Sequence, residues 1–139
     1  MDMYAEQILE HYKHPQNYGM LAGKNVDHEE YNPLCGDKIR MQLFIENNTI
    51  KDVKFIGSGC AISQAATSML TEVVKGKTIS EVKHMDREDV MKLLGVEVNP
   101  ARIKCATIGL KTLKLAIYEY LIAHGKRTSE KEFGVNEDE

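Results

Sequence analysis

The chain has no excess of basic charge. Its 139 residues hold 18 Lys and Arg against 21 Asp and Glu, a formal net charge of −3. Those cations are scattered rather than striped, so the electrostatic footprint of a nucleic-acid binder is missing. Long apolar runs are missing too. The most apolar late stretch, Leu115 to Ala123, is short and interrupted by Glu119, far below the roughly 20 residues a membrane helix requires. With 42% apolar residues and a small net charge, the composition does not match a disordered chain. No linker rich in Pro, Gly or Ser and no repeat divides the sequence. Residues 1–125 are therefore expected as a single domain. Residues 126–139, which end in Glu137-Asp138-Glu139, are expected as a frayed polar tail. Cysteines number three, an odd count, and the opening MDMYAEQILEH has no basic region of the kind that begins a secretory leader. Reduced thiols in a cytoplasmic protein are the expectation, not disulfides.

The pattern that is present is α+β. Tyr4 to His14 predicts a short helix with Ile8, Leu9 and Tyr12 on one side, stopped by Pro15. Turn signals fill residues 16–25, and a weak strand is expected over Val26–Tyr31. Ile39, Met41, Leu43 and Ile45 alternate with polar residues, the period of a half-buried strand. Val53, Phe55 and Gly57 continue that period after Asn47-Asn48-Thr49, residues suited to a hairpin loop. Pairing Leu43 with Val53 and Met41 with Phe55 keeps both apolar sets on one face and places Gly36 opposite Cys60.

Helices are expected next, at Ala61–Lys75, Ser80–Met85 and Asp86–Leu94, with Ser80 and Asp86 as caps. Asn99-Pro100 opens a last, long helix with a stripe of Ile103, Ala106, Leu110, Leu113, Ile117 and Leu121 that ends near Gly125. This order predicts a small antiparallel sheet packed by helices on one face.

Cys35 lies just before the first hairpin strand and Cys60 just after the second. They must emerge at the same end of the hairpin, within about 10 Å, because neighbouring strands are spaced near 4.8 Å. Cys60 and Cys105 also stand at or near helix starts, where the positive end of the helix favours thiolate. Asp37 follows Cys35 by two residues and offers a harder, fourth donor. Gly36, Gly57 and Gly59 flank the thiols and permit close approach of a metal. Three thiolates and one oxygen suit Zn²⁺ or an iron–sulfur cluster better than Mg²⁺ or Ca²⁺.

Asn32-Pro33-Leu34-Cys35-Gly36-Asp37, Gly57-Ser58-Gly59-Cys60-Ala61-Ile62-Ser63-Gln64-Ala65 and Arg102-Ile103-Lys104-Cys105-Ala106-Thr107 resemble the three cysteine motifs of the U-type iron–sulfur scaffold family: IscU, SufU and the N-terminal domain of NifU. The resemblance runs from about residue 3 to 123 and includes the opening YxEQILEHYxHPxN pattern. It implies a three-stranded antiparallel sheet packed by helices, and a scaffold, not an enzyme, that assembles a [2Fe–2S] cluster from Fe²⁺ and persulfide sulfur. The implied partners are a cysteine desulfurase, acceptor apo-proteins and a second copy of the chain around a cluster. Cys35, Asp37, Cys60 and Cys105 match the family's ligand positions, at which members also bind Zn²⁺. Cys105 or Cys35 would accept the persulfide, and loss of Asp37 would change cluster release.

Two positions depart from the family pattern. Lys104 stands where IscU proteins usually have a His, and a protonated Lys cannot ligate a metal. Val98-Asn99-Pro100-Ala101-Arg102 replaces the Leu-Pro-Pro-Val-Lys motif, which argues against handover through an Hsp70-type chaperone. The third motif is nearer to SufU, yet only 44 residues, 61–104, separate the second and third cysteines, as in IscU. A zinc-dependent sulfur-transfer partner of a cysteine desulfurase, in the manner of SufU, is therefore the alternative. The five histidines are expected as solvated or capping side chains. Met20 and Leu21 are a candidate partner contact, and Lys104 is a solvated neighbour or a cation that keeps Cys105 ionised.

Overall fold

A computed structural model describes residues 3–126 and 129–134. The elements in order are α1 (Met3–Lys13), β1 (Val26–Asn32), β2 (Asp37–Glu46), β3 (Thr49–Ser58), α2 (Ala61–Val74), α3 (Ile79–Lys83), α4 (Arg87–Leu94) and α5 (Ile103–Ala123). Short 3-10 turns at Pro100–Arg102 and Glu130–Phe133 complete them. The three strands form one antiparallel sheet in the order β1-β2-β3.

The alternating residues behave as their period requires. Ile39, Met41, Leu43, Val53 and Phe55 are all fully buried, on the face against which α2 and α5 pack. Met41 pairs with Phe55 and Leu43 with Val53, as expected. The register slips by one residue at Phe44/Ile45, so that Ile45 faces Ile50. The cause is the turn. Asn47 and Asn48 both adopt left-handed backbone, φ 54° and 57°, which makes a two-residue hairpin turn, not the three-residue loop that the composition suggested. Residues 17–19 run along the open edge of β3: Phe55 N–H donates to Asn17 O, and Gly19 N–H to Phe55 O, each at 2.9 Å. Leu21 then buries itself, donating its N–H to Gln42 Oε1 at 2.7 Å. Of the proposed contact pair only Met20 is exposed.

Helix α2 is buried on nearly every side, not along one stripe. Two of its buried polar residues, Ser68 and Thr71, meet α1 and the segment that follows. His11 Nδ1 meets Ser68 Oγ at 2.7 Å, Gln16 N–H donates to the same oxygen, and Asn17 Nδ2 donates to Thr71 Oγ1 at 3.1 Å. His11 is thus a packing link. So is His28, set between Glu30 and Glu119 at 2.8 and 2.7 Å. His124 meets the Tyr120 carbonyl at the end of α5, in the capping role.

On α1 only Ile8 is buried, while Leu9 and Tyr12 face outward. Asp86 caps α4 as expected, but Thr78, not Ser80, caps α3 through a reciprocal pair with Glu81. Asn99 caps only the 3-10 turn, and α5 starts at Ile103. Beyond Gly125 the chain turns back. Phe133 is 1% exposed and joins the core, and the buried Lys114 Nζ donates to its carbonyl. The expectation of a frayed tail therefore fails for residues 129–134, because a lone aromatic found apolar cover. The acidic residues Glu137-Asp138-Glu139 lie outside the described residues.

Candidate metal centre

Three chain segments meet at one end of the sheet. The β2–β3 ladder closes at Lys38 opposite Ser58, which leaves Cys35 and Cys60 leaving the hairpin side by side. A tight turn sets Cys35: Gly36 N–H donates to Asn32 O at 2.8 Å, and Leu34 N–H to Asn32 Oδ1 at 3.1 Å. Cys60 is the N-cap of α2, and its sulfur accepts from Ser63 N–H at 3.4 Å. Cys105 arrives from the first turn of α5 and is fully buried, whereas Cys35 and Cys60 are half-buried.

Asp37, the first residue of β2, is the hub. Its carboxylate is fully buried. Oδ1 accepts from Cys60 N–H at 2.9 Å and from Ser63 Oγ at 3.1 Å. Oδ2 lies 4.0 Å from Cys60 Sγ. One oxygen of Asp37 and the sulfurs of Cys35 and Cys105 lie within 4.8 Å of one another. With bonds near 2.3 Å to sulfur and 2.0–2.2 Å to oxygen, donors around a tetrahedral Zn²⁺ are about 3.5–3.8 Å apart. These donors would close by about an ångström to hold such an ion, and Cys60 touches the group through Asp37. The set is thiol-rich with one hard oxygen, so it fits zinc or iron bound to sulfide.

Gly59 makes the arrangement possible. Its φ is +136°, and a Cβ there would stand 2.2 Å from Asp37 Oδ1. At Gly57 a Cβ would stand 2.5 Å from Lys38 O. Gly36, at φ +71°, has open space around it, so only its conformation calls for glycine.

The Cys105 thiol differs from what its helix end alone suggests. Burial, followed by hydrogen bonding to Cys35 and Asp37 and the nearby Asp37 charge, pushes the Cys105 thiol well above the ordinary thiol range. Desolvation outweighs the helix end. A cation would reverse that preference by taking the thiolate as ligand. Lys104 is exposed. It borders two surface cavities of about 400 and 220 Å³ that none of the four donors lines. The donors thus form a corner in which Asp37 and Cys105 are fully buried and Cys35 and Cys60 half-buried.

Sequence reasoning did not single out Ser63 and Gln64 as supports of the site. Ser63 follows Cys60 by three residues, the spacing at which a helix cap meets the backbone of its own first turn. That spacing was the available signal.

Residues 3–127 match the family model described as the NifU-like N terminal domain. The zinc-dependent sulfurtransferase SufU of Bacillus subtilis is 37% identical over 132 residues, covering 83% of this chain and 89% of its own. The iron–sulfur cluster assembly scaffold protein IscU of Aquifex aeolicus is 38% identical over 125 residues, 88% and 79% of the two chains. A solved structure from Fervidobacterium islandicum AW-1, described as a putative iron–sulfur cluster assembly scaffold protein for the SUF system, superposes with a TM-score of 0.69 at 30% identity. It covers 81% of this chain and 94% of its own.

Proposed function

Because this chain belongs to the NifU-like N-terminal domain family, we propose that it is a scaffold on which a [2Fe–2S] cluster is assembled and from which the cluster passes to apo-proteins. The observation that supports this most is the convergence of Cys35, Asp37 and Cys105 within 4.8 Å, with Cys60 alongside, at one end of the sheet. A cysteine desulfurase supplies the sulfur. A thiolate of this chain attacks the terminal sulfur of the desulfurase persulfide, the S–S bond to the desulfurase breaks, and the desulfurase thiolate leaves. Two electrons from a low-potential donor then reduce the transferred sulfur to sulfide. Cys35 is the better first acceptor, since it is half-buried in a turn while Cys105 is fully buried on α5. Fe²⁺ is the other substrate, held by Cys35, Cys60 and Cys105 with Asp37 as the hard ligand.

The test is anaerobic reconstitution with Fe²⁺, cysteine, a cysteine desulfurase and a low-potential electron donor, followed by absorption and iron and sulfide analysis. Equal iron and sulfide in a transferable form is the expected result. The second reading is a zinc-dependent sulfur relay, supported by a donor set that suits tetrahedral Zn²⁺. Tightly held zinc, no iron uptake and faster desulfurase turnover would select it.

A further inference from the structure

Asp37 has two oxygens in different surroundings, and one side chain outside the four donors touches the difference. Ser63 is fully buried in the first turn of α2. Its hydroxyl lies 3.1 Å from Asp37 Oδ1 and 3.0 Å from the Cys60 carbonyl oxygen. Gln64 Nε2 donates to the same hydroxyl oxygen at 3.1 Å. A serine hydroxyl has one proton, so it can serve only one of those two acceptors at a time. Ser63 also gives its backbone N–H to Cys60 Sγ at 3.4 Å. One residue therefore contacts two of the four donors.

We propose that Ser63 is a positioning residue: its hydroxyl, oriented by Gln64, holds Asp37 Oδ1 so that Oδ2 is the oxygen presented to the metal. This rests on Asp37 being a ligand. When the Ser63 hydroxyl points its hydrogen at Asp37, the carboxylate is fixed at Oδ1 by two donors, the Cys60 N–H and the Ser63 O–H. When the hydroxyl turns to the Cys60 carbonyl instead, one donor remains and the carboxylate is freer to rotate. Hydrogen bonds of this kind orient metal ligands, and their loss typically weakens binding about 10- to 100-fold. Serine at this position so sets how firmly the hard ligand engages what the thiols hold.

The experiment measures Zn²⁺ affinity, by competition with a chromogenic chelator, and the ligand-field absorption of bound Co²⁺. The proteins are the wild type, Ser63→Ala, Asp37→Ala and the double variant. Ser63→Ala is expected to weaken Zn²⁺ about 10- to 100-fold and to shift the Co²⁺ bands. Both effects should vanish in the Asp37→Ala background. Gln64→Met is a second variant that leaves the hydroxyl in place. It should act in the same direction, less strongly, and also only when Asp37 is present. Unchanged binding in Ser63→Ala while Asp37→Ala changes it would overturn the proposal. So would an equal loss with and without Asp37, which would mean that Ser63 acts through the helix cap. If Asp37→Ala itself leaves affinity and spectrum unaltered, the ligand set beneath the proposal fails instead.

Discussion

Strand β2 buries opposite kinds of side chain two residues apart. Ile39, Met41 and Leu43 are fully covered by apolar neighbours, and Asp37 is covered just as completely. On that inward face the middle of the strand is stabilised by burial, at roughly 25 cal/mol per Å² of apolar area removed from water. The end of the strand buries a carboxylate beside a thiol, which costs free energy unless partners offset it. Two hydrogen bonds to Oδ1 supply part of that offset, and a bound cation would supply the rest. The core is therefore complete without a ligand, while the corner gathers donors that could take one.

That contrast is broken or sharpened by substitutions on either side. Phe55→Ala, in the core, should lower stability by about 3–5 kcal/mol. Chemical denaturation should return the same loss with and without zinc; a loss that depends on zinc would put the core and the corner in one unit. Gly59→Ala is next in size. The added methyl would enter Asp37 at a backbone angle that disfavours alanine, at a cost of about 2–4 kcal/mol. Unlike the core variant, it should also abolish tight Zn²⁺ binding, read by chelator competition.

The smallest effect is one of pH. Folding raises the Cys105 thiol above its unfolded value of about 8.5. The stability this group contributes is therefore full below that pH and is lost as pH rises beyond it. Melting temperatures of the metal-free protein should fall from pH 8.5 upward, and less steeply in Cys105→Ala. Equal slopes in the two proteins would show that the buried thiol is not the group responsible.

The same contrast explains what the sequence made legible. Alternation over Ile39–Ile45 gives the hairpin, its inward face and hence the proximity of Cys35 and Cys60, because a period of two forbids one-residue slips and the short loop limits the registers that are left. It could not show the slip at Phe44/Ile45, which depends on the left-handed pair Asn47-Asn48. Apolar spacing could not show that α2 is covered on its polar side as well, where His11 of α1 meets Ser68 and Asn17 beyond it meets Thr71. Thr78-Ile79-Ser80-Glu81 held a legible capping box that the choice of Ser80 overlooked. Phe133, one aromatic in a polar segment, found its cover only in three dimensions. At the site, Cys35, Asp37, Cys60 and Cys105 stand out in the sequence as candidate donors by type and spacing, and the structure gathers Cys35, Asp37 and Cys105. Their burial does not stand out: that Asp37 is the covered hub and Cys105 a covered thiol follows from where α2 and α5 begin, which spacing along the chain does not state.

As the hard ligand proposed above, Asp37 would also keep this corner willing to release its cargo. Its charge lies beside Cys105 and disfavours that thiolate; without it, Cys105 should commit more fully to iron. The direct measurement is the rate at which a reconstituted [2Fe–2S] cluster passes from the wild type and from Asp37→Ala to an apo-ferredoxin. Asp37→Ala should transfer its cluster more slowly and retain it longer; faster loss from that variant would remove Asp37 from this role.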